Sequence, residues 1–168
     1  MGDAGFWLAQ GVGSVAALIG VIAFQLRRDT AMLALLSASA LTWALHFLLL
    51  GAHAAAAINL VTALRNLCGI RLRSRALAGL FAAFYVAAAA LGYDHLRDLL
   101  PLAAVLLGTA AVFLLEGLRA RAGFLAGSLL WIGYNLQVWS LPGVAVMAAD
   151  AVSNGRFILM RWRETRPR

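Results

Sequence analysis

The stretch ALRNLCGIRLR, residues 63–73, places Arg65 and Asn66 side by side inside a hydrophobic run. The stretch AVSNGRFILMR, residues 151–161, repeats its alanine, asparagine, isoleucine and arginine at an offset of 88, so that Asn154 matches Asn66. Repeats of this kind are common in membrane transporters. The recurrence predicts that the chain contains two similar structural units.

The repeat extends towards the N-terminus at the same offset. LLSASALTWALH (35–46) lies over GFLAGSLLWIGY (123–134), which brings a second predicted helix of each unit into register. The ring-bearing residues paired in this way are Trp43 with Trp131 and His46 with Tyr134. The first helix of each unit aligns only after a shift of a few residues, so the repeat is strongest in the second and third helices.

The composition is that of a membrane protein. Of the 168 residues, 63% are hydrophobic and 12% are charged, and the mean hydropathy of +0.86 is far above that of soluble domains. All fourteen basic residues are arginines, and most lie in short clusters between apolar runs. This placement indicates membrane topology rather than nucleic-acid binding as the reason for the net charge of +7. Cys68 is the single cysteine, which excludes an intrachain disulfide and a cysteine-based metal site.

Charges and turn residues divide the chain into seven predicted membrane spans, so the predicted fold class is an all-α polytopic membrane protein. The spans cover about residues 5–26, 30–50, 53–70, 76–92, 99–116, 122–140 and 142–161. Pro101 and Pro142 fall in the first turns of the fifth and seventh spans, where a missing N–H costs nothing. No basic residue precedes the first span, which is therefore predicted to be a retained helix rather than a cleaved signal peptide.

The connections between spans alternate in charge. The odd-numbered connections and the tail contain eleven arginines, whereas the even-numbered connections contain only Arg97, which predicts a periplasmic N-terminus and a cytoplasmic C-terminus. The repeat divides the chain into a three-helix unit (5–70), a linker helix (76–92), a second three-helix unit (99–161) and a basic tail (162–168). A single intervening helix predicts two parallel repeats related by a pseudo-two-fold axis along the membrane normal.

Several segments that together span nearly the whole chain resemble one bacterial family. They are WLAQGVGSVAALIGVIAF (7–24), HFLLLGAHAAAAINLVTALRN (46–66), and W-x-x-Y-N followed by S-L-P-G (131–143). These segments resemble the bacterial inner-membrane YgjV family. The resemblance implies an inner-membrane location and leaves the substrate and activity open.

The three-plus-one-plus-three arrangement is similar to that of SWEET-type sugar transporters, PQ-loop proteins and PnuC vitamin transporters. In SWEET-type proteins an asparagine from the third helix of each unit and nearby tryptophans line a central site. This similarity implies a corresponding site at Asn66, Asn154, Trp43 and Trp131. It is an analogy of architecture, because the chain lacks a Pro-Gln dipeptide and mid-helix prolines.

Polar or aromatic residues share one face in each of four predicted spans, and intramembrane polar residues generally face a bundle interior. The predicted substrate-binding residues are Asn66, Asn154, Trp43, Trp131, Asn59, Tyr134, Asn135 and His46. One interpretation is a pocket in which amides orient a small polar or ring-containing molecule and indoles provide stacking area. The alternative is that Asn66 and Asn154 form interhelical hydrogen bonds that hold the bundle together.

Arg65 lies about two turns from the cytoplasmic end of its predicted span and is expected to need a partner there. Asp150 is the only acidic residue well inside a span, and the repeat places it level with Thr62. An ion pair or gate between Arg65 and Asp150 is therefore predicted. In the alternative, Arg65 extends to lipid phosphate and Asp150 is protonated or hydrogen-bonded within its own span.

The sequence predicts a protein that is not an enzyme and needs no cofactor, because it has no nucleophile elbow, phosphate-binding loop or zinc-protease motif. His46 is a candidate for proton coupling or for a structural role. His46 and His53 lack the further ligands that a metal site requires.

The predicted function is a small-molecule transporter or facilitator of the inner membrane. The alternative is a non-transporting interaction module that binds a lipid or a partner helix through the same residues. The predicted partners are the lipid bilayer and a small polar or ring-containing molecule, not nucleic acid, and the sequence is compatible with a homo-oligomer.

Overall fold

The computed structural model describes residues 2–69 and 74–164, which form seven α-helices. The helices are α1 (Asp3–Ala23), α2 (Asp29–Leu49), α3 (His53–Gly69), α4 (Arg75–Leu91), α5 (Leu99–Phe113), α6 (Gly117–Gln137) and α7 (Leu141–Glu164). A 3-10 turn, Leu96–Asp98, precedes α5, and no strand occurs within the described ranges. The predicted all-α fold is confirmed, and each helix overlaps one predicted span. Two parts of the predictions lie outside the described residues. They are Ile70, Arg71 and Arg73, which belong to the predicted repeat and third connection, and the tail from residue 165 onwards.

Local sequence signals account for several helix boundaries. Pro101 and Pro142 lie in the first turns of α5 and α7, as predicted. The hydroxyl oxygen of Ser74 caps α4 by accepting a 3.1 Å hydrogen bond from the backbone N–H of Leu77. After α2 the chain turns at Gly51, whose φ of 70° suits glycine. These signals keep the connections between helices short.

Four described helical segments are long and apolar enough to cross a membrane. They are Asp3–Ala23, Asp29–Leu49, Leu96–Phe113 and Leu141–Arg163. Helix α4 is also apolar but has only 17 residues. Large hydrophobic side chains such as those of Trp7, Leu91 and Trp162 remain exposed on the outside of the bundle. The apolar helices suggest association with a lipid bilayer.

Consecutive helices run in opposite directions, as short connections require. His46 and Ser39 of α2 bond to the backbone oxygens of Ala9 and Ala16 of α1, so residue numbers rise in opposite directions along the two helices. We call the end of the bundle where α1, α3, α5 and α7 begin the N-terminal end. The opposite end, where these four helices finish, is called the C-terminal end.

Six of the helices contact one another in a ring. Helix α2 packs between α1 and α3, and α6 packs between α5 and α7. The ring is completed by contacts of α1 with α7 and of α3 with α5, while α4 packs on α3 and α5. Small residues allow these close approaches, since Ala9, Ala16, Ala54 and Ala55 are fully buried. A space remains between the two halves of the ring.

Candidate binding cavity

The space between the two halves is a cavity of about 290 Å³, lined by residues of α2, α3, α5, α6 and α7. Gly108, Gly127 and Gly143 form part of its wall. A Cβ atom on Gly108 would meet nothing within 4 Å, whereas one on Gly127 would lie 3.3 Å from the backbone oxygen of Ala104. On α6 the lining residues Phe124, Ser128, Trp131 and Asn135 follow one helical face. Because Phe124 and Asn135 are eleven residues apart, the cavity extends roughly 16 Å along this helix.

One wall of the cavity is aromatic. The rings of Trp43 and Phe47 stack with centroids 5.9 Å apart, and those of Phe47 and Trp131 stack at 5.8 Å. The two tryptophans are the pair matched by the sequence repeat, and both line the cavity, while their contact with a substrate stays a prediction. The three rings form a continuous apolar surface that joins α2 to α6. We call these three residues the aromatic wall.

Amides and hydroxyls supply the uncharged polar part of the lining. Asn59 lines the cavity, and its Nδ2 donates to the backbone oxygen of Ala55 at 2.9 Å. Thr62 also lines the cavity, and its hydroxyl lies 3.0 Å from both the backbone oxygen of Ile58 and the hydroxyl of Tyr85 on α4. The lining residue Asn135 is 1% exposed, and its Oδ1 has no hydrogen-bond partner among the described residues. The predicted residues Asn59 and Asn135 are therefore part of the cavity.

Two unlike charges face the same cavity without pairing. An Nη2–H of Arg65 donates to Oδ1 of the adjacent Asn66 at 3.2 Å. The Asp150 carboxylate accepts a 2.7 Å hydrogen bond from the Ser128 hydroxyl of α6. Within residues 2–69 and 74–164 no salt bridge joins Arg65 to Asp150. The predicted ion pair is therefore absent from the described contacts, in which Arg65 bonds within α3 and Asp150 bonds to the neighbouring α6.

The repeated asparagines lie beside the cavity, outside its lining. Asn66 and Asn154 are 8% and 3% exposed. Asn154 Oδ1 accepts from Nη1 of Arg121 at 3.2 Å, just as Asn66 accepts from Arg65. Each asparagine thus holds an arginine near the C-terminal end of the bundle. The bond of Asn154 joins α6 to α7, whereas that of Asn66 stays within α3. Contact of either asparagine with a substrate stays a prediction.

His46 is fully buried and joins three helices at the N-terminal end. Its Nδ1 lies 2.7 Å from the backbone oxygen of Ala9, and its Nε2 lies 2.7 Å from Oγ of Ser140, just before α7. Because a carbonyl oxygen only accepts, Nδ1 donates to Ala9 and the neutral ring's Nε2 accepts from Ser140. Both ring nitrogens are occupied, so the described contacts of His46 are structural. Substrate binding and proton coupling by this residue remain predictions.

Tyr134, the repeat partner of His46, is also fully buried outside the lining. Its hydroxyl donates to Oδ1 of Asp98, at the start of α5, over 3.4 Å. The other carboxylate oxygen of Asp98 accepts from the backbone N–H groups of Asp94 and His95. Tyr134 thus attaches α6 to the beginning of α5, and binding of substrate by this residue stays a prediction.

Gln10 of α1 also bonds across the N-terminal end of the bundle. Its Nε2 donates to the backbone oxygen of Trp139 at 2.9 Å, and its Oε1 accepts from the backbone N–H of Leu141 at 3.0 Å. A Cβ atom on the neighbouring Gly13 would lie 2.6 Å from Cγ of Pro142. Together with the bonds of His46, these contacts make a tight junction of α1, α2 and the start of α7. We call this cluster the N-terminal junction.

Known proteins match this chain over nearly its whole length. Residues 7–165 match a family described as a bacterial inner membrane protein, Imp-YgjV. The chain is 30% identical over 158 residues to inner membrane protein YgjV of Escherichia coli strain K12, which covers 94% of this chain and 86% of that protein. The chain belongs to the YgjV family. No solved structure matches it.

The family and the apolar helices together are consistent with a multi-pass protein of the bacterial inner membrane. This YgjV-family protein therefore has a cavity between its apolar helices, with close packing at the N-terminal junction and the ionisable residues Arg65 and Asp150 in the cavity lining.

The sequence alone does not identify several positions of the candidate site of this YgjV-family protein. Phe47 completes the aromatic wall, and Ser128 binds the carboxylate of Asp150. The spacing of Ser128, Trp131 and Asn135 at i, i+3 and i+7 places all three on one helix face and is a signal that identifies Ser128. Gln10 gives no such signal, because its partners are backbone atoms of a distant connection.

Proposed function

We propose that this YgjV-family protein is a small-molecule transporter or facilitator of the inner membrane and that the cavity is its substrate site. The observation that supports this most directly is the cavity itself, between the two halves of the helix ring, with an aromatic wall, amides and two unlike charges. Intramembrane charged residues that face a cavity typically mark a transport pathway or binding site. No catalytic role is proposed.

The pattern of helix contacts supports two parallel three-helix units. The contacts are the same in the two units: α1–α2 and α2–α3 in the first unit correspond to α5–α6 and α6–α7 in the second. The two contacts between the units also correspond, because α1 packs on α7 and α5 packs on α3. The units proposed are 5–70 and 99–161, with α4 as the linker and seven membrane spans in total. Transport then consists of a rocking movement of one unit against the other around the central cavity.

The arginine distribution supports an orientation for this movement. Eleven arginines belong to the predicted odd-numbered connections and tail. Those that the structure describes lie between helices or within five residues of a helix terminus at the C-terminal end of the bundle, which the positive-inside rule places in the cytoplasm. The N-terminal junction then closes the periplasmic side, and the charged part of the cavity, with Arg65 and Asp150, is directed towards the cytoplasm. The described conformation is accordingly proposed to be the one that exchanges with the cytoplasm.

Water access to the cavity distinguishes transport from a sealed interaction module. In a Cys68→Ser background, Thr62→Cys is expected to react with a hydrophilic thiol reagent in membranes, because Thr62 lines the cavity. Leu64→Cys is the matched control on the same helix, since Leu64 is 57% exposed on the outer, lipid-facing surface. Its labelling by the same reagent is expected to be much slower.

Equal and negligible labelling at both positions, in folded protein, would contradict the proposal. That result would favour a membrane module that binds a lipid or a partner helix without a water-filled pathway. Labelling of a denatured sample confirms that both cysteines are present and reactive, so a negative result in membranes is informative.

A further inference from the structure

We propose that the cavity takes a small zwitterion with a flat ring, such as an aromatic amino acid, and this inference rests on the proposed function. In this arrangement the carboxylate of the ligand faces Arg65, its cationic nitrogen faces Asp150, and its ring lies against the aromatic wall. Three features of the cavity support this class: the two charges, the rings and the volume.

The charge requirement follows from Arg65 and Asp150. Both line the same cavity, and their described polar partners are the neutral side chains of Asn66 and Ser128. A charge in a low-dielectric interior is costly unless it is compensated. An anionic ligand is attracted by Arg65 and repelled by Asp150, whereas a cationic ligand is attracted by Asp150 and repelled by Arg65. Only a ligand with both charges and no net charge complements the two residues together.

The ring requirement follows from the aromatic wall. Trp43, Phe47 and Trp131 present a continuous stacked surface next to the charged residues, and aromatic surfaces bind flat rings by offset or edge contacts. The volume of about 290 Å³ lies just below the usual range of ligand pockets, which is roughly 300–1,000 Å³. A ring with a short charged group therefore suits the space better than a chain-like or oligomeric ligand.

The test is a thermal-unfolding series on the detergent-purified full chain. The zwitterionic probes are L-phenylalanine, L-tryptophan and 4-(aminomethyl)benzoate, which offer two different separations of charge. The comparison probes each lack one feature: phenethylamine has no carboxylate, 3-phenylpropionate has no ammonium group, and L-alanine has no ring. At least one ringed zwitterion is expected to raise the melting temperature in a saturable manner, and the comparison probes are expected to produce little or no rise.

Charge-neutralising variants connect the response to the two residues. Arg65→Gln and Asp150→Asn are each expected to weaken the apparent affinity for the responding zwitterion by at least tenfold. Arg97→Gln and Asp94→Asn are the matched controls, because Arg97 bonds to the backbone of Gln137 and Asp94 pairs with His53, both outside the cavity lining. These controls are expected to leave the affinity unchanged.

The inference is overturned if none of the three ringed zwitterions shifts the unmodified protein, or if 3-phenylpropionate or phenethylamine shifts it equally well. These melting-temperature shifts are measured on the unmodified protein, so the outcome does not depend on whether a variant folds. Rapid labelling at Thr62→Cys combined with no zwitterion response rejects the ligand class and leaves the proposed function standing. A zwitterion response without labelling supports the ligand class and rejects the transport pathway.

Discussion

Replacing Gly13 by alanine is expected to lower the free energy of unfolding by about 1–3 kcal/mol, the range for overpacking a well-packed interior. The new Cβ would lie 2.6 Å from Cγ of Pro142 and 2.7 Å from Nδ1 of His46. Neither atom belongs to a flexible side-chain end, because Pro142 is a ring and His46 is held by two hydrogen bonds. The melting temperature should fall by roughly 2–4 °C for each kcal/mol lost.

Gly11→Ala is the matched control for this substitution. It lies two residues away on the same helix, and a Cβ atom there meets nothing within 4 Å. Alanine favours a helix over glycine by up to about 1 kcal/mol, so Gly11→Ala should be neutral or slightly stabilising. Equal melting temperatures for the Gly13→Ala and Gly11→Ala proteins would show that the N-terminal junction is not tightly packed.

His46→Ala is expected to lower the free energy of unfolding by about 3 kcal/mol. It is the second large effect expected at the N-terminal junction. The substitution removes a fully buried ring and two hydrogen bonds that join α1, α2 and the start of α7. Hydrogen bonds between membrane helices average only about 0.6 kcal/mol each. Most of the expected loss therefore comes from the empty volume left by the ring, as in large-to-small core substitutions.

The control for this change is His53→Ala. His53 is exposed at the start of α3, where its imidazole lies 3.0 Å from the carboxylate of Asp94. Exposed ion pairs contribute about 0–1 kcal/mol, so the His53→Ala protein should unfold close to the unmodified one. If His46→Ala lowered the free energy of unfolding as little as His53→Ala does, a structural role for His46 would be contradicted. Substrate binding and proton coupling would then be the remaining roles for His46.

Periodicity and composition were sufficient to predict the helices and part of the cavity wall. Apolar runs interrupted by charges located all seven helices, since apolar length and polar punctuation are properties of the local sequence. Helical angles also placed Trp43, Trp131, Asn59 and Asn135 on inward faces, where the structure has them. These residues depend mainly on the face of their own helix, which a single sequence encodes.

The partners of the polar groups depend on packing, and the sequence did not identify them. The repeat aligns Asp150 with Thr62, which predicts that Asp150 and Arg65 lie at a similar depth along the bundle axis. It gives no information on the distance between their helices across the bundle. In the structure Ser128 lies within 2.7 Å of Asp150, since α6 and α7 are direct neighbours. Likewise, Asn154 meets Arg121, a contact that arises only when α6 packs on α7.

The central proposal is a transport pathway through the cavity. It is tested most directly by labelling a cavity cysteine from each side of the membrane in turn. With Thr62→Cys in a Cys68→Ser background, an impermeant thiol reagent is applied to intact cells and, separately, to inverted inner-membrane vesicles. A transporter that alternates between two openings is expected to react from both sides, faster from the cytoplasmic side, while Leu64→Cys reacts from neither. Reaction of Thr62→Cys from one side only, with and without a bound zwitterion, would contradict a transport pathway through this cavity.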